Sequence, residues 1–224
     1  MDLTPAEVED RVAGYVEAYR ESAPFYPVEA EAIGSLPDAY RTGDYGKRDI
    51  EWVVRWYFRR RVEAIDHDER RAVEDAVADA DRREIRGRMW DAIDAIDDAE
   101  ADDPVPDDAE ADDLDPDDVK VDETAAAHHR ALDALAHIPG VDTAVASGLL
   151  WFLDPDRYFV VGDREWRVVA ALTDLDDECP DPMTVEAYDR YLAAVRTLAD
   201  ELDVDHWKLY MVIQRVHAAE FSDS

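Results

Sequence analysis

Apolar residues recur at helical spacing along most of the chain, and this pattern predicts helices rather than strands. The first helix is predicted over residues 4–22, because Thr4 begins the sequence signature of a capping box. The next segment, 23–46, contains three prolines and is predicted to connect helices with short helical turns at most. Longer helical patterns follow over residues 47–65 and 68–96.

Helical patterns also dominate the second half of the chain. Five helices are predicted there, over residues 124–136, 141–153, 163–172, 184–202 and 205–220. Only Tyr158 to Val161 has an extended pattern, and this segment is too short to indicate a sheet. The predicted fold class is therefore all-α.

Residues 97–122 interrupt the helical patterns. They are mostly Asp, Ala, Glu and Pro, with almost no large apolar side chain, and this composition predicts a solvated, disordered linker. The linker would separate an N-terminal helical region, residues 1–96, from a C-terminal region, residues 123–224. The length of 224 residues agrees either with one domain or with two packed lobes.

A Pro-Gly turn separates the helical patterns 124–136 and 141–153. The first turn of the second helix has backbone N–H groups without intrahelical partners, and it carries the positive end of the helix dipole. Such a helix end suits a phosphate group. We therefore predict that the turn contacts a nucleic-acid backbone through Pro139, Gly140, Val141 and Thr143. We also predict that Gly140 has a positive φ or lies too close to neighbouring atoms for a side chain.

This turn resembles the hairpin of the helix-hairpin-helix DNA glycosylase superfamily, in which Leu-Pro-Gly-Val-Gly precedes a catalytic Asp by some twenty residues. Ile138 to Val141 matches the hairpin, and Arg157 to Arg167 is similar to the family's apolar segment and the helix that its Asp opens. The resemblance covers residues 132–172 most specifically. It implies a glycosylase-like helical bundle, double-stranded DNA as the partner, and Asp163 as the catalytic carboxylate.

The chain departs from the family's pattern at several positions. Ala144 stands where bifunctional members carry a Schiff-base lysine, so the resemblance implies a monofunctional N-glycosylase. Asp142 replaces the second glycine of the hairpin. Cys179 is the only cysteine, whereas iron–sulfur members have four near the C-terminus, and no cofactor is implied. The adjacent His128 and His129 lack the spacing of zinc ligands on one helix face, so no metal site is predicted.

The charge balance is unusual for an enzyme of this size. The chain has 57 acidic and 24 basic residues, a net charge of −33, and lysine only at positions 47, 120 and 208. This pattern is typical of a halophilic protein, because concentrated salt screens self-repulsion and hydrated carboxylates maintain solubility. No apolar run approaches the roughly 20 residues that span a bilayer, so we expect a cytoplasmic protein without a membrane partner.

Basic residues concentrate between positions 41 and 88, a segment with 13 basic and 12 acidic residues. We interpret Arg55 and Arg59 as candidate contacts to DNA phosphates, and Trp56 or Trp52 as a surface on which a base or sugar stacks. The alternative is that the tryptophans belong to the core and that the arginines pair with acidic neighbours on the same helix.

Three hypotheses about function follow. The first is a base-excision N-glycosylase in which Asp163 stabilises positive charge on the sugar. The second is a non-catalytic helix-hairpin-helix module that binds DNA, and the third is a structural or interaction protein without DNA chemistry. Asp163 also has a structural interpretation, because Asp commonly caps helices. Arg164 and Glu165 are expected on the exposed face of the helix that Asp163 opens.

We expect folding to require high salt. The 57 carboxylates repel more strongly when the Debye length grows from about 3 Å at 1 M salt to about 10 Å at 0.1 M. Far-UV circular dichroism should therefore show loss of helix when the protein is diluted from molar potassium chloride. Equal helix content and cooperative unfolding at 0.1 M salt would contradict the halophilic interpretation.

Overall fold

The computed structural model describes residues 3–60, 67–101, 127–175 and 178–221. These residues form helices and no strand, which confirms the all-α prediction for this part of the chain. The helices are α1 (Pro5–Glu9), α2 (Val12–Ser22), α3 (Tyr26–Thr42), α4 (Lys47–Arg59), α5 (His67–Asp79), α6 (Arg82–Ala101), α7 (127–136), α8 (Thr143–Leu153), α9 (Asp163–Leu172), α10 (Val185–Glu201) and α11 (His206–Glu220). Within these ranges, no helix is both long enough and apolar enough to cross a membrane.

Helix α3 occupies most of the segment that was predicted to hold short helical turns at most, so that prediction is wrong. The helix is 17 residues long and buries Ala32, Leu36 and Tyr40, which share one face at helical spacing. Pro27 lies in the first turn, where its missing N–H costs no intrahelical bond. The helix ends at Gly43, whose φ of 76° makes it a left-handed cap. Burial of a continuous apolar face therefore outweighs the prolines.

The predicted helix over residues 68–96 is two helices, α5 and α6. The Asp81 Oδ1 accepts hydrogen bonds from the backbone N–H groups of Arg83 and Glu84, at 2.7 and 3.3 Å, and so caps a new helix start. Helix α6 continues to Ala101, into the predicted linker. The remaining linker residues, 102–122, lie outside the described residues, so the linker and the region boundaries drawn from it stay predictions.

The chain forms two compact units. One contains Met1–Tyr45 together with Ser147–Ser224, and the other contains Gly46–Ala146. In the first unit, α11 packs against α2 and α9, and α10 packs against α9. Large aromatic side chains fill the interior of this unit, and those that are fully buried include Trp151, Trp166, Tyr188, Tyr191 and Tyr210. Burial of such side chains is the main stabilising contribution to a helical core of this kind.

The second unit is built on α4, which packs against α5 and α6. Lys47, at the start of α4, donates hydrogen bonds from Nζ to the carbonyl oxygens of Ala78 and Ala80. An ammonium group at this position satisfies carbonyls that the end of α5 leaves without helical partners. This lysine therefore has a structural role, because it ties the start of one helix to the end of another.

The predicted turn lies in the same unit, between α7 and α8. Gly140 has a φ of 83°, which confirms the predicted positive φ. A Cβ placed on this residue would lie 2.9 Å from the Cβ of Ala76 and 3.2 Å from the carbonyl oxygen of Val73, so α5 packs closely against the turn. Helix α8 begins later than predicted because Asp142 precedes it as a cap, with Oδ1 2.8 Å from the backbone N of Val145.

We expect Gly140→Ala to lower the free energy of unfolding by about 1–3 kcal/mol, because a side chain at this φ is strained and meets α5. Gly87→Ala is the matched control, since a Cβ at that helical position would meet no atom within 4 Å beyond its chain neighbours and its own helix backbone. The control should stabilise the protein by roughly 0.5–1 kcal/mol. Urea denaturation in molar potassium chloride measures both changes, and equal effects would contradict the packing of the turn.

Candidate functional site

Residues 158–161 form a buried segment without helical or strand structure, directly before α9. Each of the four residues is at most 1% exposed. Irregular backbone usually lies at the surface, where water satisfies its polar groups. A buried segment of this kind needs hydrogen-bond partners from the protein itself.

Side chains from three helices supply these partners. The hydroxyls of Tyr188 and Tyr191, both on α10, donate to the carbonyl oxygens of Phe159 and Val160, each at 3.0 Å. The Ser147 Oγ, on α8, accepts from the backbone N of Val161, also at 3.0 Å. Burial raises the pKa of Tyr188 above its ordinary value, so its hydroxyl keeps the proton that it donates.

His206, at the start of α11, supplies a further hydrogen bond to the segment. Its Nδ1 lies 3.1 Å from the carbonyl oxygen of Tyr158, and only a protonated Nδ1 can donate this bond. The imidazole is 7% exposed. Burial lowers the pKa of His206 below its ordinary value, so the neutral tautomer with its proton on Nδ1 fits the site.

Asp163 follows this segment as the first residue of α9. Gly162 is the N-cap, with extended backbone at φ −177°. Asp163 is exposed, while Trp166, one turn further along α9, is fully buried. The helix therefore presents the Asp163 carboxylate to solvent at its positive end, where negative charge is favoured.

Glu165 is fully buried, so the expectation that it lies on an exposed helix face is wrong. Its Oε1 accepts a hydrogen bond from the Nε2 of Gln214 on α11, at 2.6 Å. The 3.6-residue period turns Glu165 away from the exposed face that holds Asp163. Charge alone indicated exposure, and only the position of α11 reveals the buried partner.

The four candidate residues of the hairpin turn differ in exposure. Gly140 is exposed, and Pro139 and Thr143 are half-buried. Val141 is buried, and its backbone N donates to the carbonyl oxygen of Ile138 at 2.9 Å. The side chain of Val141 is therefore packed in the interior and its amide is already hydrogen-bonded, whereas the other three residues are accessible at the surface.

The candidate residues on α4 also differ in exposure. Trp56 is 4% exposed and packs beneath the Arg60 guanidinium, whose Cζ lies 5.4 Å from its ring centroid. Trp56 is thus a core residue with no open face on which a base could stack. Arg55 pairs with Glu51 at 3.2 Å, and Arg59 is exposed. The core alternative holds for Trp56, and pairing on the same helix holds for Arg55.

Comparison of this chain with protein-family models, with curated proteins and with solved structures gives no match.

Acid should destabilise the fold through His206 and His217, whose pKa values are both lowered in the folded protein. The lowered pKa of His206 means that the folded state resists protonation, so its contribution to stability is complete above about pH 6.5 and is lost as the pH falls through the lower, folded-state pKa. The pKa of His217 is also lowered, mainly by partial burial, so its protonation destabilises the folded state in the same way. His206→Asn should weaken the dependence between pH 7 and pH 5, because an Asn amide can replace the Nδ1 donor without titrating. If the free energy of unfolding depends on pH in the same way in the parent and in His206→Asn at constant salt, the prediction is wrong.

Proposed function

We propose that the protein binds double-stranded DNA and acts as a monofunctional N-glycosylase of the helix-hairpin-helix type. One observation carries the proposal: the Asp163 carboxylate is exposed at the start of α9, directly after a backbone segment that side chains hold in the interior. The resemblance of the Ile138–Val141 turn and of the run around Asp163 to that superfamily gives this carboxylate its proposed role.

The turn is the proposed contact to the DNA backbone. Its positive-φ glycine brings the chain into the capped start of α8, and Pro139, Gly140 and Thr143 reach the surface there. Helix α8 begins with Thr143 and carries no acidic residue in its first turn, and the Asp142 cap places one carboxylate at its positive end, on the N–H of Val145. Arg59 is a further surface cation that suits a phosphate.

The net charge of −33 is compatible with DNA binding in concentrated salt. At 1 M salt the Debye length is about 3 Å, so repulsion between two polyanions acts only at contact. The same salt removes most of the counterion-release contribution on which ordinary DNA-binding proteins depend. Affinity in this protein would arise from short-range hydrogen bonds and from complementarity to the displaced nucleotide.

The proposed reaction breaks the bond between C1′ and the base nitrogen of a nucleotide flipped out of the duplex. The base leaves with the bonding electrons and takes up a proton, while positive charge develops on the sugar. A carboxylate at Asp163 stabilises that charge. Water then adds to C1′ and loses a proton, so the reaction consumes one water molecule. Ala144 offers no amine for a Schiff base, which restricts the chemistry to base release.

A helical interaction protein without DNA chemistry is the second candidate, and one observation favours it. The turn packs so closely against α5 that a Cβ on Gly140 would meet Ala76 at 2.9 Å. A glycine required by helix packing needs no ligand to explain it. Binding of duplex DNA in molar salt distinguishes the two candidates.

We expect the protein to release a base from at least one member of a panel of duplexes, each with a single damaged or mismatched base, in molar potassium chloride. Asp163→Asn should reduce the rate constant by about 100-fold or more with little change in duplex affinity, because the amide keeps size and polarity but not charge. Asp81→Asn is the control, since it makes the same change at another helix start.

Each other outcome points to a different function. Duplex binding without base release from any substrate would favour the non-catalytic DNA-binding module, and absence of binding would favour the interaction protein. Borohydride should trap no covalent adduct with DNA. A trapped adduct would contradict the monofunctional assignment and direct attention to one of the three lysines.

A further inference from the structure

Side chains of two helices hold the backbone before Asp163 through several hydrogen bonds. Tyr188 and Tyr191 lie three residues apart on one face of α10, and their hydroxyls bind the carbonyl oxygens of two successive residues, Phe159 and Val160. The next residue, Val161, donates its N–H to Ser147. The Val160 carbonyl and the Val161 N–H belong to one peptide group, so side chains of α8 and α10 set the directions of two consecutive peptide groups, 159–160 and 160–161.

Tyr191 also contacts the helix that Asp163 opens. Its ring stacks on the indole of Trp166, with centroids 5.6 Å apart and planes 9° from parallel. The backbone N of Trp166 makes a 2.8 Å hydrogen bond to the carbonyl oxygen of Gly162, which closes the first turn of α9 around Asp163. Tyr191 thus contacts both the backbone before Asp163, at Val160, and the first turn of α9 after it, at Trp166.

We propose that Tyr191, together with Tyr188 and Ser147, positions the Asp163 carboxylate for chemistry at the sugar, an inference that rests on the proposed function of Asp163. These residues act through the backbone and do not touch the substrate. A catalytic group must be held within about 0.5 Å of its productive position, and rigid supporting hydrogen bonds provide that accuracy. Tyrosine suits the task because its ring is anchored in the core and its hydroxyl has a single directed proton.

Tyr191→Phe tests this proposal, because it deletes the hydrogen bond to Val160 and keeps the ring that stacks on Trp166. The control is Tyr19→Phe in the same unit, which removes a buried hydroxyl bonded to the Glu29 Oε2 at 2.7 Å. Both variants remove a buried tyrosine hydroxyl that makes a hydrogen bond, and the thermal midpoint measures the general cost. Ser147→Ala deletes the acceptor of the Val161 N–H and provides a second, independent test.

Amide hydrogen exchange, followed by NMR, provides the readout that does not need activity. We expect exchange of the Val161 and Trp166 amides to accelerate about tenfold or more in Tyr191→Phe and Ser147→Ala, and to remain as in the parent in Tyr19→Phe. Unchanged exchange at these amides, or equal acceleration in the Tyr19 variant, would overturn the proposal.

Base release provides the second readout. Single-turnover rate constants should fall about tenfold in Tyr191→Phe and Ser147→Ala with unchanged duplex affinity, whereas Tyr19→Phe should react like the parent. Equal rate constants in all four proteins would also overturn the positioning role. If the parent releases no base while the exchange pattern is as expected, the glycosylase assignment fails and the orienting role of Tyr191 toward Asp163 stands.

Discussion

Buried peptide groups must find hydrogen-bond partners, and this requirement organises the unit that contains Asp163. The 158–161 segment lies in the interior outside the helices. Its carbonyl oxygens and the Val161 N–H therefore need side-chain partners, and Ser147, Tyr188, Tyr191 and His206 lie where their polar atoms meet it. These four residues come from α8, α10 and α11. The mutual placement of the three helices is therefore linked to one short stretch of backbone, and α9 begins where that stretch ends.

Local signals allowed much of the architecture to be predicted. Helical periodicity indicated the all-α class, and the Pro-Gly turn indicated the positive φ of Gly140, because both depend on residues close in sequence. The sequence pattern does not indicate helix α3, because prolines usually interrupt helices, whereas Pro27 lies in a first turn, where proline is tolerated. Helical spacing offers the core alternative for Trp56, whereas the burial of Glu165 depends on Gln214 on α11, which periodicity does not reveal.

The candidate site shows the same limit more sharply. Asp163 could be proposed from a motif, since the residues that resemble the superfamily adjoin it. The hydroxyl of Tyr191 and the backbone that it binds are 31 residues apart, and nothing in the spacing of tyrosines indicates that bond. Aromatic residues at helical spacing predict core packing, and here the ring does pack. The polar end of the same side chain has a second role that only the folded backbone defines.

The division of the chain into units has a consequence for the order of events during synthesis. The Gly46–Ala146 unit is continuous in sequence and interrupts the other unit. The first 45 residues of that other unit pack against residues that are translated about 100 positions later. Helix α2 packs against α11, and the Ser22 Oγ accepts a hydrogen bond from Arg215 across 193 positions. Contacts of such long range close slowly. A nascent chain therefore exposes the apolar face of α2 until α11 leaves the ribosome, and a permuted gene that joins these two helices directly would shorten that interval.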